Sequence, residues 1–130
     1  MPKPDQSVLD RKAQIVEALC KVLPSDSVIF DEHETRAYEC DGLTAYRCPP
    51  LVAVLPRTSQ ECAAAMRVCH DLNVTVVPRG AGTSLAGGAL PTADCVILGT
   101  ARLKDVLEVD YDNRIIRVQT GVTNLSVTGM

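Results

Sequence analysis

The chain has 130 residues, 46% of them hydrophobic, with 13 Lys and Arg against 16 Asp and Glu and a formal net charge of −3. This length fits one globular domain with a buried core, and the acidic balance argues against a nucleic-acid surface. The aromatic residues Phe30, Tyr38, Tyr46 and Tyr111 stand without any Trp, which leaves no stacking platform for bases. No apolar run approaches a membrane span. The polar start Met1-Pro2-Lys3-Pro4-Asp5-Gln6 carries no signal-peptide core, so the expected location is cytoplasmic.

Val8, Ile15, Leu19, Val22 and Leu23 recur near helical spacing and predict a helix over residues 7–23, closed by Pro24. A short strand is expected over 28–30. Residues 31–46 show little period and read as irregular or partly helical. A strand over 51–55, flanked by prolines, is followed by a capping box at Thr58 and Glu61. Cys62, Ala65, Met66, Cys69 and Leu72 then fall on one helix face. With a second strand over 74–77 this predicts a βαβ unit, with parallel strands and a right-handed crossover. A third strand is expected over 95–98 and a brief helical turn over 103–107. Residues 106–110 and 114–119 read as a hairpin through Tyr111-Asp112-Asn113. Thr123 is the expected N-cap of a further helix.

The most informative stretch is Pro78-Arg79-Gly80-Ala81-Gly82-Thr83-Ser84-Leu85-Ala86-Gly87-Gly88, which leaves the carboxyl end of the second strand. Ligand sites of α/β sheets favour that end. Glycines let backbone approach a ligand and permit positive φ. Successive N–H groups in such a turn form a nest for anions, and Thr83, Ser84 and Arg79 add donors. The segment is suited to phosphate, above all the pyrophosphate of a large cofactor. It is not a P-loop, because Ala89 follows Gly88 and the nearest downstream lysine is Lys104. The dinucleotide fingerprint fails as well, because Leu85 stands at the place of the third glycine.

The six cysteines include no C-x-x-C pair and no secretion signal accompanies them. Reduced thiols in the core are expected, with Cys20, Cys62 and Cys69 on apolar helix faces and Cys95 opening a strand. The two histidines form no zinc constellation with them, and no metal site is expected.

Three strings together resemble a known family: Pro50-Leu51-Val52-Ala53-Val54-Leu55-Pro56, the glycine loop, and Val118-Gln119-Thr120-Gly121-Val122. They resemble the FAD-binding domain of FAD-linked oxidases of the vanillyl-alcohol-oxidase type, also called PCMH-type. Tyr38-Glu39-Cys40-Asp41-Gly42-Leu43-Thr44-Ala45-Tyr46-Arg47 is similar to the glycolate-oxidase subfamily, in its FAD-linked catalytic subunits. The resemblance implies an α+β fold: the N-terminal part of a PCMH-type FAD-binding domain, with a βαβ unit and a small mixed sheet, preceded by an N-terminal helix. A helical or irregular segment over 1–48 and the FAD-binding domain over 49–130 are the expected divisions.

In such proteins the loop wraps the FAD pyrophosphate, which assigns Pro78, Arg79, Gly80, Ala81, Gly82, Thr83, Ser84, Gly87 and Gly88 to the cofactor. Several relatives carry a flavin-linked histidine where Thr83 stands, so non-covalent FAD is implied. The implied activity is oxidation of a small 2-hydroxy acid, glycolate to glyoxylate. Alternatives are D-lactate or D-2-hydroxyglutarate dehydrogenation, or an inactive fragment acting as an interaction module. Family members are several times longer. The catalytic and substrate-binding residues are therefore expected beyond residue 130, and little activity is expected of this chain alone. Other subunits are implied partners, through which the protein can lie against the inner membrane. Asp41 and Tyr46 are weaker candidates, read first as a solvated turn and a packed aromatic.

Overall fold

A computed structural model describes residues 3–129. Met1, Pro2 and Met130, which bound the two expected segments, lie outside the described residues.

The helix expected over 7–23 is two helices, α1 (Gln6–Leu9) and α2 (Lys12–Val22). Asp5 caps the first by accepting from Ser7 N–H at 2.9 Å. The break falls at Arg11, whose guanidinium donates to the Ser7 carbonyl at 3.0 Å and the Leu72 carbonyl at 3.2 Å. The side chain thus ties the interruption to the end of a distant helix. Ile15 and Leu19 are fully buried and set the inward face of α2. Cys20 follows Leu19 by one residue, about 100° around the helix. It is exposed, not on the apolar face as its spacing suggested.

After β1 (Val28–Ile29) come a single turn α3 (Glu32–Thr35), a 3-10 turn at Arg36–Tyr38, and a long irregular stretch. The βαβ unit is β2 (Val52–Val54), α4 (Ser59–Asp71) and β3 (Val76–Arg79). Half of the expected capping box forms at α4. Thr58 Oγ1 accepts from Glu61 N–H at 3.1 Å, but the Glu61 carboxylate accepts from Arg57 N–H at 2.8 Å in place of that of Thr58. Ala65 and Cys69 are buried, while Met66 is 46% exposed and lies off the core face.

β2 and β3 are parallel but not neighbours. β4 (Val96–Gly99) lies between them, and β1 pairs antiparallel with the outer side of β2. Composition explains the order. β4 is buried along its whole length, as the centre of a parallel sheet requires. β3 contains Pro78, which lacks an N–H and belongs on an edge. The core joins Val8, Ile15 and Leu19 to Val52, Val96 and Leu98.

β5 (Val106–Asp110) and β6 (Ile115–Val118) form a separate antiparallel hairpin. In its turn the Asp110 carboxylate accepts from Asn113 N–H at 3.0 Å and from Asn113 Nδ2 at 2.7 Å. The helical turn expected over 103–107 is absent. Asp105 N–H donates to Gln119 Oε1 at 2.8 Å, and Gln119 N–H donates to the Asp105 carbonyl at 2.9 Å. These bonds prolong the hairpin with groups a helix would have used. α5 (Asn124–Thr128) follows, with Thr123 as its cap. Among the described residues no helix is long and apolar enough to cross a membrane.

Candidate functional site

Strand β3 ends at Arg79, whose carbonyl accepts from Thr100 N–H at 2.9 Å. The glycine loop therefore leaves the carboxyl end of the edge strand, next to the turn after β4. Residues 80–88 contain no helix. Gly82 has φ +73° and Gly87 φ +80°, values that side-chain-bearing residues rarely adopt. Among the described residues, the N–H groups of Gly80, Ala81, Gly82, Thr83 and Ser84 donate to no protein acceptor. A Cβ added to Gly80 would meet nothing within 4 Å. Such a row of free donors, with open space before it, fits a phosphate-bearing ligand.

Gly80 and Ala81 line a cavity of about 340 Å³, shared with Thr100, Lys104, Gly121 and Thr123. Along the sequence Lys104 stands too far from the loop to complete a P-loop, yet it lines the same cavity. Gly121 makes this closure possible, since a Cβ there would lie 2.7 Å from the Leu103 carbonyl oxygen. The Gln119-Thr120-Gly121 string was the available signal for that wall.

Arg79 turns into the protein. Its Nη1 donates to the Cys40 carbonyl at 2.7 Å and the Ala89 carbonyl at 3.2 Å, and the guanidinium lies 5.9 Å from the centroid of the Tyr38 ring. It braces the two ends of the loop against the Tyr38–Cys40 segment. Pro78 lies within β3 itself, and Gly88 is exposed at the far end of the loop. Thr83 is exposed, and Ser84 Oγ accepts from Ala86 N–H at 3.4 Å.

Asp41 is 5% exposed, so the solvated-turn reading does not hold. Its carboxylate accepts from Leu43 N–H at 3.1 Å and from Gly87 N–H at 3.0 Å. Tyr46, read as a packed aromatic, is 58% exposed.

A second cavity of about 310 Å³ lies at the opposite end of the sheet, lined in part by Asp5, His70 and Asp94. Hydrogen bonds from Ser7 hold the Asp5 carboxyl below its ordinary range, and the Asp5 N–H does the same for Asp94. Two carboxylates make that cavity unfit for an anion. Among the described residues no group of three or more His, Cys, Asp or Glu is placed to hold a metal ion.

A fold with a glycine loop at a strand's carboxyl end and a row of free N–H donors is that of a nucleotide-cofactor domain. The chain belongs to the FAD binding domain family, whose model matches residues 50–128, from just before β2 to the end of α5. It is 44% identical over 117 residues to glycolate oxidase subunit GlcD of Escherichia coli K12, covering 90% of this chain and 23% of the relative. It is 36% identical over 104 residues to mitochondrial D-2-hydroxyglutarate dehydrogenase of Bos taurus, covering 80% of this chain and 19% of the relative. With D-lactate dehydrogenase of Archaeoglobus fulgidus the identity is 35% over 126 residues, covering 90% and 24%. The chain thus spans about a quarter or less of these relatives.

Among solved structures, an alkyldihydroxyacetonephosphate synthase superposes with TM-score 0.79 at 20% identity, over 98% of this chain and 25% of that one. A substrate-bound p-cresol methylhydroxylase superposes with TM-score 0.77 at 16% identity, over 97% and 25%. These likenesses establish the shared α+β fold.

Proposed function

We propose that this chain supplies the FAD-holding part of an oxidoreductase acting on a small 2-hydroxy acid, of the glycolate oxidase type. One observation carries the reading: five consecutive backbone N–H groups, Gly80 to Ser84, without protein acceptors among the described residues, at the carboxyl end of a strand. Those groups, with the hydroxyls of Thr83 and Ser84, would hold the pyrophosphate of FAD. Pro78 and Arg79 deliver and brace the loop, Gly87 and Gly88 close it, and Lys104 supplies positive charge from the facing wall. Binding would be non-covalent, since residues 79–88 carry no imidazole, thiol or phenol to attack a flavin ring.

Bound FAD supplies hydride acceptance, the chemistry that oxidation of a hydroxy acid needs. This chain's own part is to bind and orient that cofactor. The base that takes the hydroxyl proton is assigned to the three quarters of the relatives' length outside the match. D-Lactate or D-2-hydroxyglutarate as substrate is the second reading, favoured by the relatives at 35–36% identity. The word subunit in the name of the Escherichia coli relative supports further protein partners, through which a cytoplasmic assembly would lie against the inner membrane.

Flavin fluorescence titration tests the reading. FAD should bind the chain, ADP should compete, and riboflavin, which lacks phosphate, should not. Gly80→Val sets its Cβ where no protein atom lies within 4 Å. It should leave the urea midpoint unchanged and weaken FAD binding by about tenfold, a loss of about 1.4 kcal/mol. Riboflavin competing as well as ADP, or unchanged FAD affinity in Gly80→Val, would overturn the assignment.

A further inference from the structure

The loop is not held in place by its own packing. Leu85 is 69% exposed, Ala86, Gly87 and Gly88 are exposed, and a Cβ on Gly87 would touch nothing. What reaches this part of the loop from the body of the protein is a turn 46 residues earlier. Gly42 N–H donates to the Ser84 carbonyl at 2.9 Å, and Asp41 takes the Gly87 N–H on one carboxylate oxygen while the other takes Leu43 N–H. The approach is close enough that a Cβ on Gly42 would lie 2.7 Å from the Thr83 carbonyl oxygen.

We infer that Asp41 is a positioning residue for the cofactor loop: its buried carboxylate draws the Gly87 N–H inward and so leaves the Gly80 to Ser84 donors facing out. The inference rests on the FAD reading above for the identity of the ligand. The chemistry is selective by sign. A carboxylate pointed at the ligand would repel phosphate, but both Asp41 oxygens are occupied by N–H groups of the protein. A bond between an N–H and an ionised carboxylate is stronger than one between neutral groups, which suits a tie that has to fix a left-handed glycine. Asp41 also joins the chain before the sheet to the loop after β3, so the 38–43 turn and the loop take their shapes together.

The test uses the whole 130-residue chain with Asp41→Ala and Asp41→Asn. Amide hydrogen exchange followed by NMR reads the loop, and FAD titration reads the site. Asp41→Ala should speed exchange at Gly87 by about tenfold and raise the FAD dissociation constant by a similar factor, while the Ile97 amide in the central strand stays protected. Asp41→Asn keeps one acceptor oxygen, hence one of the two bonds, and should fall between wild type and Ala on both readouts. That graded response guards against an Ala variant that fails to fold. Unchanged Gly87 exchange in both variants overturns the inference whether or not FAD binds. Faster Gly87 exchange with wild-type FAD affinity also overturns it. If wild type binds no FAD while Gly87 exchange still responds, the FAD reading fails and the loop-shaping role of Asp41 stands.

Discussion

The guanidinium of Arg79 fills the space into which any side chain on Gly82 would project, so that even a methyl group at position 82 would overlap it. The two residues are therefore one device. Gly82 needs both its positive φ and the lack of a Cβ, and Arg79 needs that lack in order to reach the carbonyls of Cys40 and Ala89.

Gly82→Ala should cost about 1–2 kcal/mol from left-handed backbone alone, and more from displacing Arg79. In an Arg79→Ala background the steric part vanishes. The double variant should therefore be less destabilised than the sum of the singles, by at least about 0.5 kcal/mol. Urea denaturation of the four proteins measures this, and strict additivity would contradict the coupling.

Arg79→Lys separates shape from charge. An ammonium keeps the positive charge but has neither the planar fork nor the delocalised cation that lies over the Tyr38 ring. We expect a loss of about 1.5–3 kcal/mol, the worth of one charged hydrogen bond, together with weaker FAD binding. Wild-type stability and affinity in the Lys variant would mean that only charge matters at this position.

Lys104 lines the cavity and, among the described residues, makes no ion pair. Lys104→Met keeps much of the stem and removes the charge. FAD affinity should fall about threefold to tenfold at low salt, as expected for about 1 kcal/mol of exposed electrostatics. The difference from wild type should shrink at 0.5 M salt. A loss independent of salt would assign Lys104 a packing role instead.

Burial pushes the Cys69 thiol from its ordinary 9.0 up to about 11. Below pH 9 the folded and unfolded chains both hold the proton, and stability is unaffected. From pH 9 to 11 the unfolded chain ionises first, so stability should drop by about 2–3 kcal/mol and then level off. Burial pushes Cys95 in the same direction. Cys69→Ala should accordingly flatten part of the alkaline fall without abolishing it. An unchanged slope in that variant would show that the thiol is not responsible.

The sequence revealed what depends on neighbours along the chain. Thr58 and Thr123 cap the helices expected of them, and the glycine loop follows directly from a β-branched strand. Contacts that span many residues were hidden. Asp41 reads as a turn residue until Gly87 arrives beside it, and Arg79 reads as a ligand-binding cation until its partners Cys40 and Ala89 are known. The insertion of β4 between β2 and β3 was half visible: an uninterrupted apolar run marks a central strand and Pro78 an edge. Cys20 and Met66 differ from their expected burial because a helix face is set by what packs on it. Here Ile15 and Leu19 of α2, with Ala65 and Cys69 of α4, define that face.

The place of β4 in the sheet also gives the domain an order in time. β1, β2 and β3 are all synthesised before residue 96, yet among the described residues β3 pairs only with β4. A nascent chain that has passed Gly88 holds the complete loop sequence with an unpaired strand at its base. Only when Val96–Gly99 slides between β2 and β3 does Thr100 reach the Arg79 carbonyl. Pairing across such separations is slow compared with local helix formation. Helix α4 can therefore be complete while the cradle beside it has yet to close, and the nest of donors comes into being only once β4 has entered the sheet.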